Sequence, residues 1–248
     1  MRNGGISCFW HTNILWNWNV KIAIIAAMKS ELDLLVSKLN TPIVSRAAGF
    51  SFHQGKFEGH QLILLLSGIG KVNAAVAASL LVDRYAPEAV VNSGIAGGFA
   101  KELKAGDIVV STEVCHHDVD ATPFSYRIGQ VPQMPHSYLA DPHLLSIARS
   151  IPSPNSDNSV KSGLIVSGDI FVQEVQTAEM IKHNFPDALA IEMEGAAIAQ
   201  TCYIFDTPFL VIRSISDIIG GKEGYCDNHF AAANAAKFVC ELLQSIKE

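Results

Sequence analysis

From position 20 onward the chain alternates unbroken apolar runs with amphipathic ones, the pattern of strands covered on both faces by helices. VKIAIIAA (20–27) reads as a buried strand, and SELDLLVSKL (30–39) then puts Leu32, Leu35, Val36 and Leu39 on one helical face. QLILLLSG (61–68) is a second strand that passes through Gly68 and Gly70 into the Ala-rich helix NAAVAASLLVDRY (73–85). EAVVNSG (88–94) is a third, broken by the glycines of NSGIAGG, and AGDIVVSTEV (105–114) is a fourth. Asp141 and Pro142 are the N-cap and first-turn residues of PHLLSIARS, after which PSPNSDNS is a polar loop. The second half repeats the rhythm: strand SGLIVSGD, helix EVQTAEMIKHN, strand ALAIEM, helix EGAAIAQTCYIF, strand PFLVIRSISD and helix HFAAANAAKFVCELLQSIKE. No linker or repeat divides this stretch, which predicts one α/β domain with a central mixed twisted sheet flanked by helices.

Composition narrows the class. With 49% hydrophobic and 17% charged residues the chain is a compact soluble globule and not a disordered or coiled-coil protein. A formal charge of −6 argues against nucleic-acid phosphates or anionic lipid as partners. No apolar run approaches the ~20 residues of a membrane helix. Five scattered cysteines without a C-x-x-C pair suggest neither a disulfide framework nor a zinc ribbon, and place the protein in a reducing cytoplasm. Residues 1–19 stand apart: they hold all three tryptophans and show no periodicity, and Asn and His interrupt the apolar run a signal peptide needs. The expected domain is therefore 20–248, preceded by an extension that is non-native or disordered, with a partner-binding tail as the alternative.

In sheets of this kind ligands sit beyond the carboxyl ends of the strands. Here those ends include Ile69, then Ile95, Ala96 and Gly97, and three places where carboxylates follow apolar runs. Glu192 and Glu194 flank Met193; continued strand geometry would turn both to one side, either to hold sugar hydroxyls or to satisfy the amides of a helix start. Asp217, after Arg213 and Ser216, is an N-cap or a proton donor, and Glu31 alone is an ordinary first-turn acid. GIGKVN lacks P-loop spacing, and NSGIAGG is not a dinucleotide fingerprint. His116, His117, Asp118 and Asp120 could in principle ligate a metal, but adjacent histidines on a strand face opposite ways.

AAMKSE (26–31), SGIGKVNAA (67–75), NSGIAGG (92–98), GDIVVSTE (106–113), HDVDAT (117–122), SGDIF (167–171), AIEMEGAAIA (190–199) and IRSISD (212–217) occur in the order and spacing of one family. From Val20 to its end the chain resembles the 5'-methylthioadenosine/S-adenosylhomocysteine nucleosidases of the purine nucleoside phosphorylase-like superfamily. The resemblance implies that Glu31 activates the attacking water and that Asp217, supported by Ser216, protonates the purine. It also implies that Glu194 and Met193 hold the ribose, that Phe171 and Val172 meet the purine, and that Arg213 lies near the ribose side. Ile95 stands where relatives often carry Ser or Thr. A homodimer is implied, with Phe124 and Pro132 reaching into the neighbouring subunit's site, and neither metal nor cofactor. Three alternatives stay open: a hydrolase of another nucleoside such as futalosine, a phosphorylase, which should carry basic residues near the first strand and around 69–73, and a purine-binding module with a dead site.

Overall fold

The structure is a computed structural model that describes residues 20–100, 102–219 and 227–246; the expected extension 1–19 lies outside them. The strands are β1 (Lys21–Ala26), β2 (Asn40–Ala47), β3 (Phe50–Phe57), β4 (His60–Leu66), β5 (Ala89–Gly98), β6 (Ile108–His116), β7 (Tyr138–Leu139), β8 (Val160–Ser167), β9 (Ala188–Glu192) and β10 (Phe209–Ile218). The helices are α1 (Lys29–Lys38), α2 (Lys71–Tyr85), α3 (Pro142–Ser150), α4 (Val175–Asn184), α5 (Gly195–Ile204) and α6 (Asn228–Ser245).

All the strands join one mixed sheet in the order β10-β6-β8-β9-β5-β1-β4-β3-β2, with β7 paired to β6. Because β10 also pairs with β5, the strands β5, β10, β6, β8 and β9 close on themselves, and β1, β4, β3 and β2 run on as an open wing. The continuous apolar runs are explained by burial on both faces. Along β1, Ala23 and Ile25 pack toward α2 and α5, whereas Ile22, Ile24 and Ala26 pack toward α1, α3 and α6. A smaller cluster of Cys115, Val166, Ile181, Phe185, Ala188 and Ile191 seats α4. Asp141 caps α3 as the sequence predicts, its carboxylate accepting the Leu144 amide at 2.8 Å.

Two features differ from the sequence reading. The third strand is not broken at its glycines: β5 runs through to Gly98, since its backbone pairs with β10 on one side and β9 on the other. Side chains have no room there, for a Cβ at Gly97 would come within 2.8 Å of Ile219 and one at Gly98 within 2.9 Å of Ile218. Residues 40–57, which the apolar pattern leaves unassigned, form a hairpin on the sheet edge. Its turn, Ala48–Gly49, and the turn that joins it to β4, Glu58–Gly59, have two residues each, all at positive φ, the backbone that matches strand twist in tight hairpins.

Candidate active site

One cavity opens where the carboxyl ends of β1, β8, β9 and β10 meet the loop after β4. Its lining includes Glu31, Ile69, Ile95, Ala96, Gly97, Phe171, Val172, Glu192, Met193, Glu194, Ser216 and Asp217. Every expected site residue within the chain's own pocket is therefore brought together except Arg213. Ala27, Met28, Ile170, Ile191, Ile219 and Asn228 complete the lining. Sequence reasoning named none of those six as binding residues. Ala27, Met28, Ile170 and Ile191 lie inside the motifs AAMKSE, SGDIF and AIEMEGAAIA and could have been found there, whereas Asn228 carries no signal of its own.

Glu31 is the third residue of α1 and is buried. One carboxylate oxygen, Oε2, accepts the amides of Ala27 and Met28, both at 2.9 Å, and Oε1 accepts the Ile95 amide at 3.1 Å. A carboxylate has about four acceptor positions, so one is left, on the oxygen nearer β5. The close approach demands Gly94, where a Cβ would lie 2.7 Å from Oε1. Burial raises the pKa of Glu31 from its ordinary value, opposed by the Arg213 charge and the three amides.

Glu192 and Glu194 divide the two readings made of them. The strand ends at Glu192, and Glu194 (φ −131°, ψ −37°) is the N-cap of α5, so strand alternation does not relate them. Glu192 accepts the Ser167 hydroxyl, the amides of Glu194 and Gly195, and Arg213 Nη2 at 2.5 Å. Nothing of it remains for a ligand: it holds the start of α5 and the guanidinium. Among the described residues Glu194 meets one protein donor, the Gly70 amide at 2.8 Å to Oε1, and its other oxygen accepts from none.

Arg213 lies behind the cavity, 1% exposed, and is bonded to Asn92, the Ile212 carbonyl and Glu192. Its charge thus reaches the cavity as a field and not through a contact surface. Burial would push Glu192 up, but the Arg213 charge, the Ser167 hydroxyl and the Glu194 amide hold it below the usual range. Glu194 moves the other way, to about 7, through burial and the negative charge of Glu192.

Ser216 and Asp217 both face the cavity because of a bulge. On β10, Ile215 pairs with Ala96 and Asp217 with Gly97, leaving Ser216 as the extra residue against β5; such insertions re-aim side chains beside sites. Ser216 Oγ lies 2.6 Å from Asp217 Oδ1 and 3.2 Å from the Ala96 carbonyl.

Phe124, 78% exposed, and Pro132, also exposed, lie off this cavity. The His/Asp run does not converge: His116 bonds Gln200 at 2.9 Å and Asp118 pairs with Lys71 at 2.5 Å. Asp120 accepts from Thr122, and among the described residues no group of three His, Cys, Asp or Glu side chains could hold a metal ion.

This closed sheet with its four-acid cavity places the chain in a known class. The family model of the phosphorylase superfamily matches residues 21–248, and the chain belongs to that superfamily. Within it, the chain belongs to the 5'-methylthioadenosine/S-adenosylhomocysteine nucleosidase family. A nucleosidase of that name from Chromohalobacter salexigens is 50% identical over 222 residues, covering 88% of this chain and 94% of the relative. One from Maridesulfovibrio salexigens is 46% identical over 231 residues, 92% of this chain and all of the relative. Among solved structures, the Colwellia psychrerythraea nucleosidase in complex with adenine has a TM-score of 0.88 at 42% identity, covering 92% of this chain and 96% of that one. The Neisseria meningitidis nucleosidase in complex with methylthio-immucillin-A has a TM-score of 0.85 at 40% identity, covering 91% and 99%.

Proposed function

We propose that the protein hydrolyses the N-glycosidic bond of 5'-methylthioadenosine and S-adenosylhomocysteine, releasing adenine and the 5-thio-substituted ribose. The observation that carries this reading is three differently held carboxylates on one largely aliphatic cavity, Glu31, Glu194 and Asp217. Breaking this bond builds positive charge on the sugar and negative charge on the purine. Glu31, with a single acceptor position unfilled among the described residues, holds one water and takes its proton. Glu194 accepts the ribose hydroxyls through its free oxygen, and its charge favours the cationic sugar. Asp217 gives a proton to the departing purine. Ser216, whose hydroxyl lies 2.6 Å from Asp217 Oδ1 and 3.2 Å from the Ala96 carbonyl, holds that carboxyl facing the cavity. Phe171 and Val172 meet the base, and Met193 packs on the sugar.

Water rather than phosphate is the nucleophile, because among the described residues no lysine or arginine lines the cavity and Arg213 is committed to Glu192. The working unit is residues 20–248 as a homodimer in the cytoplasm, with Phe124 and Pro132 completing the alkylthio pocket of the second copy. An exposed phenylalanine off its own chain's cavity supports that arrangement. Among the described residues no helix is long and apolar enough to cross a membrane. The test is to incubate the protein with methylthioadenosine, with and without phosphate, and identify the products by chromatography. Adenine and methylthioribose at a phosphate-independent rate are expected; a phosphate-dependent sugar 1-phosphate overturns the reading.

A further inference from the structure

Three motifs that the catalytic scheme leaves without a task meet at one point: GIGK (68–71), HD (117–118) and SGD (167–169). Asp118, two residues past the end of β6, receives the Lys71 ammonium on Oδ1 at 2.5 Å and the Asp169 amide on Oδ2 at 2.9 Å. Asp169 in turn accepts the Lys71 amide on Oδ1 at 2.7 Å. The three residues thus form a closed ring joining the segment after β6, the loop after β8 and the first turn of α2. The approach leaves no room for side chains. A Cβ at Gly168 would lie 2.4 Å from the His117 ring and 2.9 Å from Asp118 Cγ, and one at Gly70 would lie 3.0 Å from Asp169 Oδ1.

We propose that Lys71, Asp118 and Asp169 are positioning residues: their ring seats the loop that carries Ile170, Phe171 and Val172 and, through Gly70, sets the carboxylate of Glu194. The proposal rests on the nucleosidase reading above and deepens it. Residues 168–174 have no regular structure; Val172 packs against the cluster that seats α4, whereas Phe171 is largely exposed and is not fixed by interior packing. The loop's anchor is Asp169, adjacent to the cavity-lining stretch. The amino end of α2 is shared: the amide of Gly70 goes to Glu194 and the next amide, of Lys71, to Asp169. A displacement of that helix end moves both donors together, so the seat of the base and the charge of the sugar-side carboxylate are mechanically linked. The Lys71 and Asp118 side chains are 19% and 14% exposed, enough shielding for the pair to hold its geometry. Burial works against the Asp118 charge, but the Lys71 ammonium and the Asp169 amide hold its carboxyl below the ordinary range.

The experiment compares Lys71→Met, Asp118→Asn, Asp169→Ala and Lys71→Arg with the parent protein. Calorimetric affinity for free adenine, kcat and KM for methylthioadenosine, and the pH profile of kcat/KM are measured on each. The first three variants are expected to bind adenine roughly tenfold more weakly, the size of one charge-assisted hydrogen bond. KM should rise more than kcat falls, and the acid limb of the profile should move to higher pH as Glu194 loses its Gly70 donor. Lys71→Arg should recover both, and the Lys71→Met/Asp118→Asn double variant should be no worse than the worse single one. Unchanged adenine affinity and an unchanged acid limb, with or without a loss of melting temperature, overturn the proposal and leave the ring a structural bridge. If Lys71→Met does not fold, Asp169→Ala, which removes the acceptor of the Lys71 amide and keeps the Lys71–Asp118 pair, carries the same readouts. Failure of the nucleosidase reading shows separately, as a parent protein that releases no adenine.

Discussion

Replacing Glu194 by Gln should make the ligand-free protein more stable and nearly inactive, and only at neutral and alkaline pH. Glu194 is 7% exposed, its charge opposed first by burial and then by Glu192, which brings its pKa to about 7 from an ordinary 4.5. A carboxyl held higher in the folded than in the unfolded chain binds its proton more tightly when folded. Its contribution to stability is therefore complete below about pH 4.5 and is lost as the pH rises to about 7. A shift of that size corresponds to roughly 3 kcal/mol between the two ends of the window. Gln has no charge to bury, and its Oε1 keeps the Gly70 amide. The variant should match the parent near pH 4.5 and exceed it by about 3 kcal/mol at pH 8, or roughly 6–12 °C in Tm for a domain of this size. Urea unfolding of both proteins at pH 4.5, 6 and 8, followed by backbone circular dichroism, measures the gap directly. A gap that does not change with pH, or a variant less stable than the parent at pH 8, refutes the reasoning. The loss of turnover by orders of magnitude that accompanies the gain would mark Glu194 as a residue whose placement favours function over stability.

Glu31→Gln and Asp217→Asn should each lower kcat for methylthioadenosine by about 10²-fold or more, with the fold intact by circular dichroism. Near-parental turnover by either removes that residue from the scheme. Arg213→Met leaves Glu192 buried without its counter-charge and should cost about 3–5 kcal/mol in denaturant unfolding, most of it recovered when Glu192→Gln is added. Sedimentation should give a dimer, and Phe124→Ala should raise KM for methylthioadenosine while leaving binding of free adenine unchanged. A chain begun at Val20 should keep the parent's kcat and Tm; a large loss of either would make residues 1–19 part of the folded unit.

How much of this was legible in the sequence depended on whether a residue's role is set by local pattern or by what comes to meet it. The helices and the doubly covered strands follow from periodicity alone, because their partners are generic apolar surface. The hairpin of residues 40–57 escaped that reading because the exposed edge strand β2 buries almost nothing and offers no periodic signal. Its turn dipeptides, Ala48–Gly49 and Glu58–Gly59, were the only clue. The glycines of β5 were misread for the opposite reason. They look like breaks in sequence, yet they keep the strand regular by admitting Glu31, Ile218 and Ile219 from elsewhere in the chain.

The acids show the same division. A first-turn glutamate and a glutamate at a strand end are ordinary features, and the structure confirms the ordinary task in each: Glu31 accepts amides at the start of α1, and Glu192 at the start of α5. What separates them is how many acceptor positions that task leaves. Glu31 keeps one, Glu194 keeps a whole oxygen, and Glu192 keeps none once Arg213 and Ser167 have reached it. Capping and chemistry are therefore not competing explanations for these carboxylates. The amides that cap also fix the oxygens in place, and a carboxylate so fixed can present its remaining lone pair in one direction, as a positioned base requires.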